Sequence, residues 1–165
     1  MKKRIYIGLF ALVLCVLLVG CDKEKAEREK KRTDGTFEIV CTKEEEKQKT
    51  HSVEYVNTYY FKEDQIAYKY NGIVTQIFKE KDDYNETKDL LQKTADGEKG
   101  EGQEYKLDAD DEKLTLVFTV TLDGLDKYAK SDEEKANLKA AAVLKDNEEQ
   151  NNKCEFRGIS KNDIK

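Results

Sequence analysis

The stretch LTLVFTVTL, Leu114 to Leu122, alternates with one exception, Val117. Leu114, Leu116, Phe118, Val120 and Leu122 fall on one side, and Thr115, Thr119 and Thr121 on the other. A two-residue period belongs to a strand with one covered and one wet face, not to a helix, where apolar residues return every three or four positions. A strand cannot pair its own backbone groups, so the chain must build a sheet around this one. The same period recurs upstream. Phe37, Ile39 and Cys41 share one face of a first strand, and Val53, Tyr55, Tyr59 and Phe61 share one face of a second, with the charged run KEEEKQKTHS expected as a loop between them. A third segment places Ile66, Tyr68, Tyr70, Val74 and Phe78 on one face. Within it, Asn71-Gly72 leaves two readings open: a hairpin turn, or a glycine inside one long strand, which the alternation slightly favours. Tyr105 and Leu107 begin a fourth strand, DADDEK turns into the fifth, and Cys154 and Phe156 share a face of the last.

Two segments carry a helical period instead. Asp82 or Asp83 is expected to cap a helix with Tyr84, Thr87, Leu91 and Ala95 on one face and Gly97 just past its end. Ser131 and Glu134 form a capping box for a helix running to about Lys145, burying some of Ala136, Ala140, Val143 and Leu144. Asp126 to Lys130 reads as a short helical turn. The expected fold class is α+β: a mainly antiparallel sheet of about six strands with two helices packed on one face.

The first 35 residues are of a different kind. Lys2, Lys3 and Arg4 precede an apolar run from Ile5 to Val19, which is the layout of an export signal. The run falls short of the ~18 apolar residues that span a bilayer with margin, so removal is expected. Leu18-Val19-Gly20-Cys21 resembles a bacterial lipobox, in which the thiol receives lipid and the peptide is cut just before the cysteine. Two acyl chains on Cys21 would make a stable membrane anchor, where one would hold only marginally. Asp22 to Gly35 carries charge and no large apolar side chain, so it reads as a solvated tether. The expected organisation is a signal peptide over 1–20, a lipidated cysteine and charged tether over 21–35, and a single domain over 36–165. Asp22 after the lipid-bearing cysteine also resembles the inner-membrane retention signal of Gram-negative lipoproteins; in a Gram-positive cell it carries no such meaning, and the composition does not choose between the two. The expected location is the outer face of the cytoplasmic membrane.

Loss of residues 1–20 takes three basic residues and no acidic one, so the formal net charge of −5 becomes −8. An acidic exported domain lacks the basic footprint of nucleic-acid binding, and no nucleic-acid partner is expected. Of the four cysteines, Cys15 leaves with the signal and Cys21 goes to lipid. Cys41 and Cys154 remain, and outside the cytoplasm an even pair reads as a disulfide. Both lie on the apolar face of their strands, so a bridge forms if the first and last strands are neighbours; two buried free thiols are the other reading.

Residues capable of chemistry are few. His51 is the only histidine, in a charged stretch without a nucleophile beside it, and reads as a solvated residue. Asp108 to Glu112 could attract calcium, but Lys113 and Thr119 stand where a calcium-binding EF-hand loop needs glycine and glutamate, so a turn is expected. No metal, no cofactor and no enzymatic activity are expected. Tyr55, Tyr59, Tyr60, Tyr68 and Tyr70 fall on two consecutive strands, mostly as packing. Tyr60, on the opposite face from its neighbours, is the candidate for a binding face.

The lipobox, the charged tether, a strand ending in IVCT, the Tyr-rich strand pair and a SDEEKANLKAA helix before the last strand together resemble the YehR-like family of small bacterial lipoproteins, over most of the chain from Thr36 onward. The resemblance implies a lipid-anchored α+β domain and brings no catalytic residues; a cysteine pair agrees with members that carry one. The expected function is that of an extracytoplasmic lipoprotein serving as a binding or structural module of the cell envelope, held to the membrane by lipid and open to an envelope protein partner. The alternative is an accessory subunit that regulates a membrane transporter or sensor; an envelope enzyme lacks the residues it would need.

Overall fold

The structure, a computed structural model, describes residues 28–165. The expected signal peptide, Cys21 and the first part of the tether lie outside the described residues. Six strands form one antiparallel sheet: β1 (Phe37–Lys47), β2 (His51–Phe61), β3 (Ala67–Phe78), β4 (Gln103–Asp110), β5 (Thr115–Asp123) and β6 (Lys153–Arg157), in the spatial order β4-β5-β3-β2-β1-β6. The helices are α1 (Lys81–Asp96), α2 (Leu125–Tyr128), α3 (Asp132–Asn137) and α4 (Ala140–Glu149). The first three strands form a meander. The chain then skips one place through α1, lays down β4 at the edge, and returns as β5 beside β3. The helices α2 to α4 lead back to the opposite edge, where β6 pairs with β1.

The pairing register carries the alternation across the sheet. Ile39 faces Tyr59, Tyr59 faces Tyr70, and Tyr70 faces Leu122, so these side chains share the face covered by helices. Two apolar clusters lie on that face. Phe37, Ile39, Cys41, Phe61, Ala67, Ala140, Val143 and Ile159 form the larger, under α4. Phe78, Tyr84 and Leu116 form the smaller, under α1, with Leu91, Leu107 and Leu114 against it. Glu38, Thr58, Tyr60, Asn71, Thr119 and Thr121 stand on the outer face. Cys41 is the partner of Cys154 across β1 and β6, their α-carbons are 4.1 Å apart, and the sulfurs are bonded at 2.04 Å.

Asn71-Gly72 lies inside one long strand, with Gly72 opposite Asn57 and Val120. Glycine is required there because the Tyr70 side chain leans over it; a β-carbon would collide with the phenol, whose hydroxyl donates to Asn57 Oδ1 at 2.7 Å.

Several expectations need correction. The KEEEK run is not a loop: β1 continues through it to Lys47, with a register shift between Lys43 and Glu46, and Gln48 N donates to His51 O across the short turn. The helix α1 starts at Lys81 after Glu80, without a side-chain cap, and Asp82 and Asp83 sit in its first turn, where carboxylates complement the helix dipole. The capping box of Ser131 and Glu134 is present, but the helix it opens stops at Asn137. There the backbone is drawn off to the β2–β3 turn: Ala67 N donates to Leu138 O and Ala140 N to Gln65 O, both at 2.9 Å, and helix resumes only at Ala140. Leu114 packs inward against the smaller cluster, but it lies before β5 rather than in it. It adopts φ 50°, and its carbonyl accepts from Phe78 N.

The segment Arg28 to Gly35 is not free coil. Gly158 N donates to Arg28 O, Arg28 pairs with Glu155 at 3.0 Å, and Arg32 pairs with Glu38 at 2.9 Å. It therefore lies along the outer face of β6 and β1, since Glu38 and Glu155 both project there. Among the described residues, no helix is long and apolar enough to cross a membrane.

Candidate functional site

Between the sheet and the α2–α4 cover lies a groove of about 590 Å³. Its floor is Tyr59, Tyr70 and Leu122 from three adjacent strands, and its walls are Leu125 of α2, Leu138 between α3 and α4, and Ala142 and Val143 of α4. Asn137 and Asp146 stand at its rim. The groove follows from the helix break, because the detour of Leu138 to the β2–β3 turn sets α4 aside and leaves the tyrosines half covered. A second hollow of about 360 Å³ shares Leu122 and Leu125 and continues to Tyr128, Glu101, Gly102, Gln103 and Asp123.

The floor is built as a unit. Tyr59 and Tyr70 lie with ring centroids 5.1 Å apart, tilted by 48°. Burial pushes the Tyr70 phenol up to about 12, with Tyr59 adding to the shift. Tyr70 is therefore a neutral hydrogen-bond donor at ordinary pH, already committed to Asn57. An apolar floor with two phenols and a polar rim can seat an apolar or aromatic group and orient it by hydrogen bonds. It places no nucleophile beside a base.

The residues singled out from sequence are scattered. Cys41 is fully buried and bonded to Cys154, far from any thiol chemistry. The His51 ring stacks on Phe78 at 5.0 Å, and its Nδ1 lies 3.0 Å from Thr50 Oγ1. Asp110 turns the β4–β5 hairpin by accepting from the backbone of Glu112 and Lys113, and the Lys113 N–H bond holds its carboxyl below the usual carboxylate range. Asp111 accepts from Lys88 at 2.6 Å and from the Tyr84 hydroxyl at 2.5 Å, and Lys88 holds its carboxyl down. No group of three or more metal-ligating side chains occurs among the described residues.

The five tyrosines divide between the faces. Tyr55, Tyr59 and Tyr70 lie on the helical face. Tyr68, expected beside Tyr70, is instead the extra residue of a bulge, since Tyr60 pairs with Lys69 and Phe61 with Ala67. Its ring lies 6.4 Å from Tyr60 on the outer side. Lys69 Nζ stands 5.6 Å from the Tyr60 ring centroid and Lys62 Nζ 5.1 Å from that of Tyr68. Burial, with Glu38 second, raises the Tyr60 phenol above its ordinary value.

Sequence reasoning missed Asn57, Leu125 and Leu138. Asn57 carried a signal, being a polar residue at an in-facing position between Tyr55 and Tyr59. Leu125 and Leu138 carried none, because their places depend on long-range backbone pairing. No family model matches the chain, and neither a curated protein nor a solved structure matches it.

Proposed function

We propose that this chain is a lipid-anchored lipoprotein of the cell envelope, held at the outer face of the cytoplasmic membrane through Cys21 and serving there as a binding or structural module rather than an enzyme. The observation that carries the reading is the border at Cys21, where Leu18-Val19-Gly20 ends an apolar run and a stretch charged at every position but Ala26 follows to Arg32. The Cys41–Cys154 bond supports it, because such bonds persist in oxidising compartments and are rare in the cytosol. The layout that resembles the YehR-like lipoproteins supports it too. The tyrosine groove favours binding over a purely structural role, since it offers an apolar floor on which the Tyr70 phenol is held in place by Asn57. An accessory subunit of a transporter or sensor would use the same groove for a protein partner.

The test is the variant Cys21→Ala in the native cell. Wild-type protein should incorporate labelled fatty acid and stay with salt-washed membranes, and the variant should do neither. A variant that still fractionates with washed membranes contradicts the anchor.

A further inference from the structure

We propose that the outer-face corner of the sheet carrying Tyr60 and Tyr68 docks on the phospholipid headgroup layer of the membrane that holds the anchor. The inference rests on the lipid-anchor reading and adds to it a surface and an orientation. The tether is short. Arg28 is bound to the outer face of β6 through Gly158 and Glu155. The seven residue steps from Cys21 to Arg28 extend at most about 25 Å, half of what a tether running free to Gly35 would allow. The chain leaves the domain on the outer face, so that face meets the bilayer first.

The corner also has the side chains of an interfacial surface. Arg32 and Arg157 both pair with Glu38, which faces Tyr60 across β1 and β2. From β6 to β2 is two strand spacings, about 10 Å, so the tyrosines stand well within the tether's reach. Each tyrosine ring has a lysine over it, Lys69 on Tyr60 and Lys62 on Tyr68. Phenol rings flanked by ammonium and guanidinium groups match the membrane interface, where tyrosine sits at headgroup level and long basic side chains reach phosphate. Arg32, Arg157, Lys62 and Lys69 are matched by an equal number of carboxylates, Glu38, Asp126, Asp123 and Asp64, so the corner is close to neutral in a domain that is acidic as a whole. In this orientation the tyrosine groove, on the opposite face, turns away from the bilayer towards soluble or protein partners.

The chain contains no tryptophan, so Tyr60→Trp supplies a sole indole reporter and Leu90→Trp, on the exposed side of α1, a control. The mature chain from Cys21 to Lys165 has one thiol outside the disulfide. That thiol is coupled to maleimide-bearing lipid in phosphatidylcholine and phosphatidylglycerol vesicles doped with a headgroup-nitroxide lipid. Coupling imposes the anchor chemically, so the outcome does not depend on lipidation in the cell, which the Cys21→Ala experiment tests. The expected result is a blue shift and loss of emission for Tyr60→Trp, and for Tyr68→Trp as a second variant, with Leu90→Trp unchanged. Equal quenching of all three, or of none, overturns the proposal. A blue shift without nitroxide quenching means that a second copy covers the corner, and overturns it as well.

Discussion

Tyr70 and Tyr84 are the residues whose chemistry the fold changes most. Tyr84 is fully buried, with its hydroxyl on Asp111, and burial pushes its phenol up to about 12, as it does for Tyr70. A raised folded value means that the native state keeps a proton which the unfolded chain loses near 10. The stability contributed is complete below pH 10 and declines as the pH rises towards 12. A phenolate absorbance titration should therefore show Tyr70 and Tyr84 ionising last, and Tyr84→Phe should remove one late step and flatten the alkaline loss of stability. Ionisation of all tyrosines together near 10 would contradict their burial. Of this, the sequence showed the place of Tyr84 on the buried stripe of a helix. Its partner Asp111 was not readable, because the contact joins a helix to a hairpin turn far along the chain.

At the scale of the element, β3 shows how a local ambiguity is settled. Asn71-Gly72 is a strong hairpin signal, yet pairing on both sides, with β2 and with β5, holds the strand straight through it. The glycine then serves the Tyr70 ring instead of a turn. Gly72→Ala should force that ring from Asn57 and lower stability by about 1–3 kcal/mol, measured by urea unfolding, as overpacking does elsewhere; an unchanged midpoint would mean that the ring does not lie over Gly72. The end of β1 was hidden for a different reason. The pairing of β6 with β1 stops at Thr42, so the Lys43–Lys47 stretch is an edge held only by β2. Charged residues suit an edge because they discourage further pairing, and the charge that suits them there makes them read as loop. The interruption before α4 had no local signal. Leu138 and Lys139 fit a helix, and only the bridge between Ile66 and Lys139 takes them out of it.

For the whole molecule, the first and last strands are side by side and covalently joined over a sequence separation of 113 residues. Both cysteines could be placed on their inward faces from period alone, and the compartment argument supplied the bond; the strand order itself was not readable beyond that pairing. Replacing both, Cys41→Ser with Cys154→Ser, should lower the unfolding free energy by about 2–4 kcal/mol, because the open chain regains entropy that the bridge denied it. Denatured, non-reduced protein should take up no thiol label at either position, and label at both would show that the bridge is missing. The disulfide closes the domain beside Gly158, where the segment from Arg28 docks, so the fold is tied together next to the place from which it is proposed to hang. The anchor itself is the central claim, and the mass of the N-terminal peptide of membrane-extracted protein tests it most directly. The account predicts a peptide that begins at Cys21 and carries a diacylglyceryl group on its sulfur; a peptide that begins upstream of Cys21, or at an unmodified Cys21, would contradict it.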